Sequence, residues 1–354
     1  NPGLGFDNPP ISVRICRITG TKDIFIMVRI LFISLIFSLL LTGCQPQNRA
    51  EQAASEEVTA QQPGNSERSD ILLFASFRGN GEDGLHLSYS EDGLNWTALN
   101  NDESVLAPQV GTKLMRDPVI IRGPDNRFHM VWTSGWEDAA IGLAHSDNLR
   151  DWSEQVLVPV MKDFPTAKNA WAPEIYWDDA TQQYWIYWAS TIPGTYPDTE
   201  KQADKGWDHR IFATTTKDFI NFTPTELFYQ PGFNVIDAAI VNTGKNYTML
   251  VKDETRYPPA KHLLVATANT IYGPWQLQQA PFSPADVWVE GPAIIELDGW
   301  YYVYFDQYIE HSFGVMRTRD FNEWENLTEQ LNMPQGSRHG SIVKITREEL
   351  SVLR

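Results

Sequence analysis

The stretch between Pro118 and Trp152 decides the fold. It reads Pro118-Val119-Ile120-Ile121, a turn at Gly123-Pro124-Asp125-Asn126, then Phe128-His129-Met130-Val131-Trp132. Ile141-Gly142-Leu143-Ala144-His145-Ser146 follows, and Trp152 closes the unit. Short runs of β-branched and aromatic residues, punctuated by Gly, Pro, Asp and Asn, are strands joined by tight turns. The same succession returns three times. Glu174-Ile175-Tyr176-Trp177 leads to Tyr184-Trp185-Ile186-Tyr187-Trp188, Ala239-Ile240-Val241 to Tyr247-Thr248-Met249-Leu250-Val251, and Ala293-Ile294-Ile295 to Trp300-Tyr301-Tyr302-Val303-Tyr304-Phe305. The third strand and its closing aromatic recur at Leu85 to Trp96, Arg210 to Phe222, Leu263 to Trp275 and Phe313 to Trp324. One supersecondary unit repeated at a near-constant period is the signature of a repeat architecture.

The two ends complete the pattern. Ser341-Ile342-Val343-Lys344-Ile345 is a first strand with no successor, while Ile71-Leu72-Leu73-Phe74-Ala75-Ser76-Phe77 begins a unit that lacks one. Joined, they make a fifth unit, and closure of this kind removes dangling sheet edges. The expected fold is all-β, a single five-bladed β-propeller over 71–354, closed by pairing of the N- and C-terminal strands.

Upstream, the chain reads as an address. Residues 1–26 contain no Met and are expected to precede the true start at Met27. Met27-Val28-Arg29 and the apolar run Ile30 to Leu41 form a secretory signal over 27–43, too short to span a bilayer as a helix. Leu41-Thr42-Gly43-Cys44 resembles a bacterial lipobox, which implies a lipid anchor at Cys44 and a cell-envelope location, at the outer membrane. The polar segment 44–70 has too little apolar surface to offset its ordering entropy and is expected to be a tether. The 354 residues carry 28 Lys+Arg against 45 Asp+Glu, a formal charge of −17. That balance excludes the counterion-release chemistry of a nucleic-acid binder. Cys16 and Cys44 are the two cysteines, so a disulfide framework and a thiolate zinc site are excluded as well.

Polar residues open each first strand: Asp117 in Arg116-Asp117-Pro118, Glu174 in Ala172-Pro173-Glu174, Asp237 in Ile236-Asp237-Ala238, Glu290 in Glu290-Gly291-Pro292, and His339 in Arg338-His339-Gly340. They recur roughly every 50–60 residues, the period of the repeat. Since first strands line the central channel of a propeller, these groups should converge. Gathered carboxylates oppose one another's ionisation, and glycoside hydrolysis exploits that tension by keeping one carboxyl protonated and another ionised. The same residues could instead cap strands or bind a metal.

On these motifs the chain resembles glycoside hydrolase family 43, the bacterial arabinofuranosidase and xylosidase group, over about 71–354. The resemblance implies an inverting, exo-acting glycosidase of plant-type polysaccharide, acting on α-L-arabinofuranosides or β-xylosides. Asp117 matches the base, Asp237 the residue that tunes and orients, and Glu290 the acid, kept protonated by neighbouring negative charge. Inversion implies carboxyl groups roughly 6.5–9.5 Å apart. Trp171 and Glu174 match a sugar-contacting segment. Trp288 lies beside the acid, Arg338 beside a site carboxylate or a substrate hydroxyl, and Trp136 and Trp207 are further candidates for stacking. His339 is expected either to bond a carboxylate or to hold a structural Ca²⁺ through water; no cofactor is otherwise implied. The alternatives are galactan or arabinan specificity and a non-catalytic surface glycan-binding lipoprotein. Fructan-cleaving propellers share Arg-Asp-Pro, but their Asn-Asp-Pro-Asn-type motif is missing.

Overall fold

The computed structural model describes residues 70–354. The expected signal segment, the lipidation site Cys44 and the tether up to residue 69 lie outside the described residues. From Ile71 onward the chain forms five four-stranded antiparallel sheets. In chain order, the first blade contains β1 (Ile71–Ser76), β2 (His86–Ser90) and β3 (Thr97–Ala98). The second is β4 (Arg116–Arg122), β5 (Phe128–Thr133), β6 (Ile141–Ser146) and β7 (Val156–Val158). The third is β8 (Trp171–Asp178), β9 (Gln183–Thr191), β10 (His209–Thr216) and β11 (Glu226–Tyr229). The fourth is β12 (Val235–Asn242), β13 (Tyr247–Asp253), β14 (His262–Ala268) and β15 (Gln276–Leu277). The fifth is β16 (Glu290–Leu297), β17 (Trp300–Gln307), β18 (Ser312–Thr318) and β19 (Glu325–Asn326).

The closing strand β20 (Ser341–Ile345) pairs antiparallel with β1, Ile71 opposite Ile345 and Ala75 opposite Ser341, and so supplies the first blade's inner strand. Inner strands β4, β8, β12, β16 and β20 touch their neighbours in a closed ring. This is the five-bladed, end-paired propeller expected from the sequence.

Each repeat is built by the same local chemistry. Ser90, Ser146, Thr216 and Thr318 end third strands, and each hydroxyl accepts the backbone N–H three residues on, from Gly93, Leu149, Phe219 and Phe321. Asp92, Asn148, Asp218 and Asp320 accept two further N–H groups apiece. These turns hand the chain to the closing aromatics. Trp96 is buried against Phe74 and Tyr304, and Trp324 stacks on Phe282 at 4.1 Å. The fourth blade departs, with Ala268 and Thr270 in place of the hydroxyl and carboxylate. A helix, Arg347–Leu353, follows β20 and was not expected. Thr346 and Glu349 form its capping box and Leu350 is buried beneath it, so Thr-Arg-Glu-Glu was the signal.

Packing inside a blade is tight enough to test. Gly142 on β6 lies opposite Trp132 on β5, and a Cβ there would meet the indole Cε2 at 2.0 Å. Trp132 is fully buried and has no room to retreat. Gly142→Ala should therefore destabilise the fold by about 1–3 kcal/mol, read as a lower midpoint with unchanged slope in urea unfolding.

Candidate active site

The inner strands do not run straight into the channel. In β4, β8, β12 and β16 the register slips by one residue near the start, between Arg116 and Val119, Trp171 and Glu174, Ile236 and Ala239, and Glu290 and Ala293. The extra residue of each bulge has positive φ: Asp117 (51°), Ala172 (44°), Asp237 (52°) and Gly291 (61°). Such bulges re-aim side chains and increase local twist. A left-handed conformation at a non-glycine residue also costs free energy that the surroundings must hold in place.

The bulges correct one expectation. The sequence spacing treats Asp117, Glu174, Asp237 and Glu290 as equivalent, but they occupy three different positions. Asp117 and Asp237 are the bulge residues, Glu290 precedes its bulge, and Glu174 follows its own. Gly291 takes the bulge position in β16 because its N–H donates to Asp237 Oδ2 at 2.9 Å and a Cβ would sit 2.2 Å from the His339 ring.

Asp117 is nearly buried, at 8% exposure. Its Oδ2 accepts from the Thr133 hydroxyl at 2.8 Å, and Oδ1 lies 3.3 Å from His339 Nδ1. Burial alone would raise its pKa; the hydrogen bond and charge of His339, then Arg116 and Thr133, outweigh burial and bring it to about 2. Asp237 and Glu174 go the other way. Burial raises Asp237, opposed by His339 and Lys252 and reinforced by Glu290 and Asp117. Burial lifts Glu174 to about 8, with His339 opposing and Asp237 adding. His339 is the counter-charge: burial works against its protonation, yet Asp237, Asp117 and Glu290 raise it to about 9.

Glu290 is held from two sides. Lys252 Nζ lies 3.0 Å from Oε2 and Arg338 Nη2 lies 3.4 Å from Oε1. Each cation has a carboxylate of its own, Glu254 for Lys252 at 2.7 Å and Asp306 for Arg338 at 2.7 Å. Asp237 and Asp306 bring negative charge near Glu290, but the groups that touch its carboxylate are the two cations. Between the roles foreseen for Arg338, pairing with site carboxylates is the one observed.

Lys252, Asp306 and Thr133 were missed by sequence reasoning. They share one place: each ends or nearly ends the second strand of its blade and pairs with the residue just before the bulge, Thr133 with Arg116, Lys252 with Ile236 and Asp306 with Glu290. A polar residue breaking the end of an apolar strand, as in Met249-Leu250-Val251-Lys252, was the available signal.

Aromatic residues line the end of the sheets where the bulges lie. Trp171 meets Trp136 edge-on at 5.4 Å and stacks on Trp207 at 4.8 Å, with His209 at 4.7 Å. Part of the Trp171 face is therefore covered by protein, while Trp136 is 46% exposed. Trp288 lies beside Tyr308 at 6.4 Å and carries the Arg256 guanidinium 5.0 Å above its ring. The polar insert between β9 and β10 docks here, since the Gln202 carbonyl accepts the N–H groups of Arg256 and Tyr257.

The donor set does not fit a directly held calcium ion. Calcium takes six to eight oxygen ligands, whereas His339 offers a nitrogen, and its Nδ1 lies 3.3 Å from Asp117 Oδ1. Among the described residues no group of three or more His, Cys, Asp or Glu side chains is arranged around an ion.

Protonated His339 makes a stability prediction. A histidine raised from 6.5 to about 9 on folding binds more proton in the folded than the unfolded state between those values. Stability contributed by its charge is complete below pH 6.5 and is lost as pH rises toward 9. Thermal melts should show a falling midpoint across that window, and His339→Gln should flatten the fall.

Comparison with known proteins agrees with this architecture. The family 43-related glycosyl hydrolase model, described as a probable glycosyl hydrolase domain, matches residues 70–351. An α-L-arabinofuranosidase of Bifidobacterium longum subsp. longum is 22% identical over 183 residues, 46% of this chain and 17% of that enzyme, so the match spans under a fifth of the relative's length. Among solved structures, a point variant of the family 43 protein BlXynB from Bacillus licheniformis superposes with a TM-score of 0.51 at 18% identity, covering 71% of this chain and 48% of that one. That likeness concerns the fold. With the model match extending across the whole propeller, the chain belongs to the family 43-related glycosyl hydrolases.

Proposed function

We propose that the protein is an inverting, exo-acting glycosidase that removes α-L-arabinofuranose or β-xylose from plant-type polysaccharides or oligosaccharides. The observation that carries this reading is three carboxyl groups from separate blades held by fixed partners at the bulges: Asp117 by Thr133 and His339, Asp237 by the Gly291 N–H of the strand that bears Glu290, and Glu290 by Lys252 and Arg338.

In the proposed reaction Glu290 gives its proton to the glycosidic oxygen as the bond to the anomeric carbon breaks. Asp117 takes a proton from a water that attacks the opposite face of the sugar, and the new C–O bond has inverted configuration. Asp237 orients Glu290 through the Gly291 peptide. Glu174, proton-bearing at neutral pH, donates to a sugar hydroxyl, and Trp136 and Trp288 offer ring faces to the chain. Anchoring through Cys44 to the bacterial envelope, at the outer membrane, is part of the same proposal. Cys44→Ser should then move the protein from the membrane to the soluble fraction after cell lysis.

The reading is tested with aryl glycosides and arabinose- or xylose-bearing polysaccharides. Glu290→Gln and Asp117→Asn should each lower kcat by roughly 10²–10⁴-fold. Proton NMR during the first minutes should show the inverted anomer forming first. Retained configuration would overturn the mechanism. Silence of wild type with glycan binding unchanged in both variants would overturn the enzyme and leave a binding protein.

A further inference from the structure

Lys252 is a lysine in an improbable place. It lies on β13, its side chain is 1% exposed, and it sits opposite Ile236, one residue before the bulge that aims Asp237. Its ammonium lies 3.0 Å from Glu290 Oε2, 2.7 Å from Glu254 Oε2 and 4.6 Å from the centre of the Tyr308 ring. A buried ammonium is costly unless its charge is met. Glu254 meets it only in part, because the Lys261 ammonium also binds that carboxylate. Lys252, Lys261 and Glu254 together leave one positive charge over, and Glu290 in its ionised form cancels it. Arg338, the other cation at Glu290, stands differently: its contact is longer and Asp306 already offsets its charge at 2.7 Å.

We propose that Lys252 is a positioning residue for the acid, whose ion pair with Glu290 strengthens as Glu290 loses its proton to the leaving group. This rests on the reading of Glu290 as the acid. In the step itself, the proton passes from the Glu290 carboxyl to the glycosidic oxygen, the bond to the anomeric carbon breaks, and the carboxylate left behind faces Lys252. An interaction that grows along the reaction coordinate lowers the barrier, whereas one equally strong before and after does not. Other groups facing Glu290 are Asp237 on β12, Asp306 and Tyr308 at the end of β17, and Arg338 and His339 ahead of β20. None of these is a cation short of a partner, since His339 is held by Asp117 and Asp237.

The test compares wild type, Lys252→Met and Lys252→Arg in the whole protein, with glycosides whose leaving groups range from dinitrophenol to an unactivated sugar. The alkaline limb of the pH–rate profile reports proton loss from the groups that activity needs protonated, the acid among them. Without Lys252 that limb should move to higher pH. The loss in kcat should also grow with leaving-group basicity, from under threefold for dinitrophenol to tenfold or more for the sugar, with KM little changed. Lys252→Arg should recover most of it. An unmoved limb, with equal loss for every leaving group, would overturn the proposal and make Lys252 a packing residue. If Lys252→Met does not fold, Lys252→Gln, which also removes the charge, decides: an unshifted limb with a loss equal for every leaving group overturns the proposal, and a shifted limb with a graded loss supports it. Failure of the glycosidase reading looks different, as wild type itself then releases no sugar from any substrate.

Discussion

Neighbouring blades of this propeller share no backbone ladder. Each sheet is hydrogen-bonded within itself, so apart from the chain connections and a few loop bonds such as Ala170 N–H to the Asp138 carbonyl and Arg256 N–H to the Gln202 carbonyl, what holds one blade to the next is side-chain work. Much of that work is apolar, as clusters of buried residues span the seams. Some of the polar work is done elsewhere, as by the Tyr247 hydroxyl on Asp178 and the Tyr304 hydroxyl on the Gly93 carbonyl, and the rest by the inner strands. Ser341 at the start of β20 accepts from Ile120 N–H and donates to the Pro118 carbonyl. Thr133 receives the Ala172 N–H and passes its own proton to Asp117. Asp237 takes the Gly291 N–H, and Lys252 reaches across to Glu290. Groups assigned to chemistry are therefore also ties, Asp117 to His339 between second and first blades and Asp237 and Glu290 between fourth and fifth.

This double duty explains the geometry of the site. A carboxylate that must bond across a seam cannot follow the regular pleat, which would send it to one sheet face or the other. A one-residue bulge turns it sideways, and the positive φ at Asp117 and Asp237 is the local cost. Rigidity follows, because a side chain fixed by two blades cannot relax without parting them. Preorganised groups of this kind need no rearrangement when charge develops.

Most of the fold was legible because strand period, turn residues and the two unfinished ends are local signals. Ile71 to Phe77 and Ser341 to Ile345 could be paired on paper, since each lacked what the other supplied. The carboxylates were legible through their recurrence. Their registers were not: Glu174 and Glu290 lie on opposite sides of their bulges, and each bulge falls so near the start of its strand that too few residues precede it to show the break in alternation. Lys252 and Asp306 were hidden for another reason. Each occurs once, in the second strand of a single blade, so a search for repetition passes over them. Thr346 to Glu349 was overlooked because one capping box is short against a background of twenty strands.

Closure of the ring by β20 and β1 has a consequence for how the protein is made. β1 is buried at every position from Ile71 to Ser76 and apolar at all but the last, but its inner partner β20 is separated from it by the whole of the other four blades. At about 5–20 residues per second, translation leaves that edge unpaired for tens of seconds. An apolar strand with an open edge is a template for pairing with another chain. Productive assembly thus favours conditions in which the nascent chain is kept from its neighbours until the last strand arrives, and the ring then locks in one late step.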